Sequence, residues 1–149
     1  MPPDRTNRSG KQQKPLVLLA ARPVAREPFR TALGDYAEVV EAETLEDAVA
    51  LVERQVPGLV CCTVYFDDSR MFDLIRWIRS RNARVPIVCA RAVAKDMTKL
   101  SMEAVKIAAV AVGATSFIDL VAMMEERGGE AALEALRTLL MNCLSAPPS

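Results

Sequence analysis

Thr63, Tyr65, Asp67 and Asp68 crowd the end of one apolar run, where a hydroxyl, a phenol and two carboxylates could handle a proton or a cation. Carboxylate pairs such as Asp67 with Asp68, or Glu125 with Glu126, have the group types for general acid–base work. Adjacent acids are also common on protein surfaces, and the usual catalytic companions are missing. The chain contains no histidine, which removes imidazole metal ligands, histidyl phosphotransfer and the usual base of a nucleophilic triad. The first apolar run passes into LAARPVA, with no glycine-rich turn to cradle a dinucleotide or a nucleoside triphosphate. Cys61, Cys62, Cys89 and Cys143 lie inside apolar segments without paired metal-ligand spacing, as expected of reduced thiols in a core. The expectation is a protein that is not an enzyme, with no catalytic residues, no metal and no cofactor.

The cluster is positioned by the run that begins at Pro57, PGLVCCTVYFDDSRMFDLIRWIRSR. Gly58 to Val64 is apolar without alternation, the pattern of a parallel strand covered on both faces. Such a strand delivers its C-terminal end to the functional edge of an open α/β sheet. Behind it Met71, Phe72, Leu74, Ile75 and Ile78 recur at helical spacing, with Arg70, Asp73, Arg76 and Arg79 largely opposite. Apolar runs and helical patterns alternate in the same way along the whole chain. They read PLVLLA, PVAREPFRTALG, YAEVVEA, LEDAVALVERQ, PGLVCCTV, RMFDLIRWIRSR, VPIVCA, a helical stretch from Asp96 to Val112, ATSFIDL and EAALEALRTLLMNCL. Five strands alternating with five helices predict a parallel sheet with right-handed crossovers.

Local signals refine this pattern. Thr44 with Asp47 makes a weak capping box for the second helix, and Pro23 suits the first turn of the first. Pro28 would delete a backbone bond inside that helix, so the helix is kinked or starts late. In the last helix Ala132, Leu133, Leu136, Leu139, Leu140 and Cys143 form a broad apolar stripe, preceded by Gly128 and Gly129.

With 149 residues, 51% of them apolar, the chain suits one domain with a substantial core. Residues 1–14 are polar, carry Arg5, Arg8, Lys11 and Lys14, and have nothing apolar to bury, so a disordered basic tail is expected there. A second disordered tail is expected at 145–149, leaving 15–144 as the domain. Nineteen acidic and nineteen basic residues cancel, so no global field argues for nucleic acid or an anionic membrane. No apolar run approaches the roughly 20 residues that span a bilayer, and the N-terminus lacks the apolar core of a signal peptide. A cytoplasmic location without membrane contact is expected.

Over residues 15–144 the chain resembles the receiver domain of two-component response regulators, the family typified by the chemotaxis regulator. The likeness is strongest at VLLAARPVAREPFRTAL and, without a gap, over the segment that begins at Pro57. It implies a flavodoxin-like, doubly wound α/β fold of strand order 2-1-3-4-5 with helices on both faces. It also assigns positions at the sheet edge. Receivers usually carry the phosphoacceptor aspartate where this chain has Thr63, and the acidic cluster that holds magnesium falls at Ala20, Ala21 and Arg22. The family's switch hydroxyl falls at Arg91, and its lysine at Leu120, with Val121 where a proline usually follows in a cis bond. The resemblance therefore implies a pseudo-receiver, a scaffold kept without phosphorylation. Arg22 and Arg91 are expected to reach this vestigial pocket and pair with Asp67 and Asp68, guanidinium in place of metal. An anion site, or arginines that simply point into solvent, are the alternatives.

Such a protein is expected to signal by protein contact. In phosphorylated receivers the face made of the fourth helix, fifth strand and fifth helix usually docks partners or dimerises. The stretch from Arg91 to Gly113 looks longer here than in the family, which makes Met97, Lys99, Met102, Glu103 and Ile107, with Met123 and Met124 after the fifth strand, the candidate interface residues. Methionine serves both adaptable contacts and core gaps. The partner would be a histidine kinase, another regulator or a second copy, as a homodimer through that face. Two other readings are a nucleic-acid-associated regulator and a small-anion sensor at the vestigial pocket. The former would use the basic tail and Arg70, Arg76, Arg79, Arg81 and Arg84 around Trp77 on and after the third helix.

Overall fold

The computed structural model describes residues 14–81, 84–94 and 99–145. In chain order the elements are β1 (Leu16–Ala20), a 3₁₀ turn (Pro23–Ala25), α1 (Glu27–Leu33), β2 (Glu38–Ala42), α2 (Leu45–Arg54) and β3 (Leu59–Thr63). There follow α3 (Met71–Arg81), β4 (Ile87–Arg91), α4 (Lys99–Val112), β5 (Ser116–Asp119), α5 (Leu120–Arg127) and α6 (Gly129–Ser145). The strands form one parallel sheet of order β2-β1-β3-β4-β5, the flavodoxin-like arrangement expected. The central strand β3 is buried at every position, which is why LVCCT carries no alternation.

Side chains of successive strand residues point to opposite faces, so the sheet divides two cores. Leu18, Val60, Cys62 and Cys89 pack with Leu74, Ile75 and Ile78 of α3, Val52 of α2 and Ala109 of α4. Val17, Leu19, Cys61, Val88 and Ile118 pack with Phe29 and Leu33 of α1 and Leu136 and Leu140 of α6. Cys61 and Cys89 each stand two residues before the end of their strand, a spacing that would pair them if the strands ended level. The register instead pairs Cys62 with Cys89 and Cys61 with Val88. Thr63, the last residue of β3, sits opposite Ala90, so β4 runs one residue further, and counting back from the strand ends exchanges the two faces. All four thiols are free. Burial pushes those of Cys61 and Cys62 far up and that of Cys89 to about 12.

The first helix starts late. The chain makes the 3₁₀ turn at Pro23, and Pro28 falls in the first turn of α1, where its missing N–H needs no partner. Thr44 caps α2 as expected, its Oγ1 accepting from the Asp47 N–H at 3.1 Å. Among the described residues there are six α-helices instead of five, because Asp119 caps a separate α5 and Gly128, at φ 89°, ends it before α6. The last helix runs through Ser145, one residue into the expected tail; residues 1–13 and 146–149 lie outside the described residues.

Arg79 departs from the solvated face that periodicity assigns it. Its Nε donates to the Gly113 carbonyl at 2.8 Å and its Nη1 to the Val85 carbonyl at 2.7 Å. This guanidinium ties α3 to the turn after α4 and to the entrance of β4.

Candidate functional site

The C-terminal edge of β1, β3, β4 and β5 brings together the residues assigned to the vestigial pocket. Ala20 and Ala21 are wholly buried. Among the described residues no group of three or more acids or thiols could hold a metal ion. Thr63 is 3% exposed, and its Oγ1 is buried without a hydrogen-bond partner among the described residues. Leu120 is buried as the first residue of α5.

The expected pairing of Arg22 and Arg91 with Asp67 and Asp68 does not form. Arg22 is exposed at the entrance to the 3₁₀ turn. Arg91 lies opposite Asp119 in the β4–β5 register, and its Nε donates to Asp119 Oδ1 at 2.8 Å. The two side chains are 12% and 25% exposed, a partly desolvated pair. The same carboxylate oxygen accepts from the Ala122 N–H at 3.0 Å, capping α5. The residue pattern did not flag Asp119. Its available signal was an aspartate directly before a helical segment, the usual N-cap.

Asp67 is drawn away by the loop that holds it. Asp67, Asp68 and Ser69 adopt φ of 44°, 53° and 69°, three successive left-handed non-glycine residues. Each such residue costs about 1 kcal/mol or more. The loop is held by the Arg70 N–H bonding the Phe66 carbonyl at 2.8 Å, with the Phe66 ring fully buried. Asp67 Oδ2 accepts from the N–H of Leu45 at 2.8 Å, placing a carboxylate at the positive end of α2. Arg70 then reaches Glu46 at 3.4 Å, Asp73 at 3.5 Å and Asp67 at 3.8 Å. Asp68 is exposed.

The candidate interface divides. Glu103, Ile107 and Met124 are exposed, Ile107 at 64% and Met124 at 45%. Met102 is buried, which takes it off the free surface, and Met123 is half-buried, packed in part against the core. Met97 and the side chain of Lys99 lie outside the described residues. The outer side of α4 carries more apolar surface than those residues indicate. Ala104, Ile107, Ala108 and Ala111 are all exposed at i, i+3, i+4 and i+7, and Val110 beside them is 50% exposed.

The arginines of α3 and Arg70 just before it have neighbours within the fold. Arg70 and Arg76 meet Asp73, Arg79 is clamped as above, and Arg81 meets Glu53 and the Trp77 ring. No helix among the described residues is long and apolar enough to cross a membrane.

No protein-family model matches the sequence, and no curated protein matches it. Solved structures do. A response regulator from Thermotoga maritima superposes with a TM-score of 0.67 at 19% identity, over 89% of this chain and 99% of that one. The phosphorylated cyanobacterial phytochrome response regulator RcpA gives 0.69 at 14% identity, over 91% and 98%. The BeF3-activated receiver domain of Klebsiella pneumoniae RstA gives 0.64 at 20% identity, over 88% and 98%. At these identities the likeness establishes the fold, and the fold is that of response-regulator receiver domains.

Proposed function

We propose that the chain is a degenerate receiver that regulates by protein contact in a two-component type of pathway and takes up no phosphate. The observation that carries this reading is the sheet edge: a buried Thr63 at the acceptor position, the methyl groups of Ala20 and Ala21 in place of acids, and Arg91 spent on Asp119. An acyl phosphate needs a carboxylate to form on, and a hard cation needs oxygen ligands to be held beside it. The protein acts in the cytoplasm and is not an enzyme. With no phosphate to shift an equilibrium, its output face is held in one state or set by another ligand.

The outer stripe of α4, with Met124 of α5, is the surface for that contact. The partner is a histidine kinase, another regulator or a second copy of this chain. The nucleic-acid reading is less well supported, because the charges of the chain cancel and Arg79, one of the arginines it would use, is spent on the Gly113 and Val85 carbonyls. The anion sensor is disfavoured in the same way, since the Arg91 guanidinium is occupied.

Two measurements test the proposal. Small phosphodonors with magnesium should leave the protein mass unchanged, and an acid-labile phosphoryl group on the chain would overturn it. Ile107→Glu combined with Glu103→Lys should abolish partner capture at an unchanged melting temperature. Full capture by that variant would move the interface elsewhere, to α3.

A further inference from the structure

The sheet edge opposite Thr63 carries a cavity of about 300 Å³ between α2 and α3. Val52, Val60, Ile78 and Trp77 are among its walls, and Glu53 and Arg81 are its charged lining residues. A space of this size, apolar with a few polar groups, is at the lower end of small-molecule sites.

The state of Arg81 indicates the ligand chemistry. Its guanidinium carbon lies 5.2 Å from the centre of the Trp77 ring, a cation–π contact that orients the group. Its ion pair with Glu53 spans 3.9 Å, beyond hydrogen-bond length, with both side chains more than half exposed. Such a pair contributes little and opens at low cost. Among the described residues Arg81 donates no hydrogen bond, so its fork of donors is unused at an apolar cavity. That fork matches a carboxylate bidentately.

We propose that this cavity binds a small aromatic carboxylate, with its ring against Trp77 and its carboxylate on Arg81 in place of Glu53. The site is independent of the Thr63 edge and of the α4 face, and it gives the chain a place for a chemical input away from both.

Trp77 is the only tryptophan, so its emission reports on the cavity directly. The full chain is titrated with 3-phenylpropionate and, separately, with 3-phenylpropionamide. The acid should give a saturable change in Trp77 emission and raise the melting temperature, and the neutral amide should bind about tenfold more weakly. Arg81→Gln should erase the preference for the acid. Glu53→Gln, which removes the competing carboxylate, should tighten the acid severalfold and leave the amide unchanged. Both side chains are exposed, so the fold tolerates both changes. No saturable response up to about 10 mM, equal binding of acid and amide, or no tightening by Glu53→Gln would each overturn the proposal.

Discussion

Replacing Thr63 with valine should stabilise the protein. Thr63 is 3% exposed, its Oγ1 has no partner among the described residues, and its register neighbour is Ala90. A buried hydroxyl without a hydrogen bond costs about 1–3 kcal/mol. Valine has nearly the same shape, so it opens no cavity, and it exchanges the orphan oxygen for a methyl that gains from burial. The expected gain is about 1–2 kcal/mol. At this chain length that raises the melting temperature by about 2–8 °C. Urea unfolding with an unchanged m-value would assign the gain to the folded state. A loss of about 1 kcal/mol or more would refute the reasoning, because it would mean that the hydroxyl is satisfied by a bound partner and that the edge is a polar site. Thr63→Asp is the counterpart. It buries a carboxylate with Ala20 and Ala21 nearby and Arg91 already paired, and it should destabilise by on the order of 3 kcal/mol.

Gly113→Ala should cost about 2–4 kcal/mol in urea unfolding. Gly113 has φ 128°, and an added Cβ would lie 2.7 Å from Arg79 Cγ, displacing a guanidinium that bonds two carbonyls; a loss below about 0.5 kcal/mol would mean that the clamp is dispensable. A double-mutant cycle of Arg91→Met and Asp119→Asn should return a coupling of about 1 kcal/mol or more, since the pair is partly desolvated, and zero coupling would reduce it to a surface pair. The buried thiols make stability fall in alkali. Burial holds the folded Cys89 thiol protonated up to about 12, whereas thiols of the unfolded chain ionise near about 8.5. The contribution is therefore complete below about pH 8.5 and is lost as pH rises toward the folded value. Cys89→Val should flatten the decline of the urea midpoint between pH 9 and 11, and an unchanged slope would contradict this burial.

The elements were legible in the sequence where one physical term dominated. β3 is buried on both faces, so LVCCT is unbroken, and α3 buries Met71, Leu74, Ile75 and Ile78 at the spacing that announces a helix. Pro28 carried two readings, and the 3₁₀ turn that takes up Pro23 decides for a late start. The errors concern partners. Periodicity gives the face of a helix but not the reach of a long side chain, so Arg79 looked solvated until Gly113, with no Cβ, allowed it to lie against the chain. Register across a parallel sheet depends on where each strand stops, and a one-residue difference exchanged Cys61 for Cys62 as the neighbour of Cys89.

Arg91 shows the same limit at the candidate site. The sequence pattern points to the acids of the loop after β3, Asp67 and Asp68, as its partners. The carboxylate it meets is the one placed opposite by the β4–β5 register, while Asp67 is taken up by the first N–H of α2. The substitutions at this edge are therefore coupled in pairs. Without Asp119, Arg91 would be a partly buried cation left uncompensated, and Asp119 has a second duty as the cap of α5. An acidic residue at position 63, even with acids introduced at 20 and 21, would still have Arg91 bound to Asp119 and Leu120 buried at the start of α5. If the chain is the degenerate receiver proposed above, gain of phosphoryl chemistry would require the β4 and β5 ends to change together with position 63, and the single change at Thr63 should yield only a less stable protein.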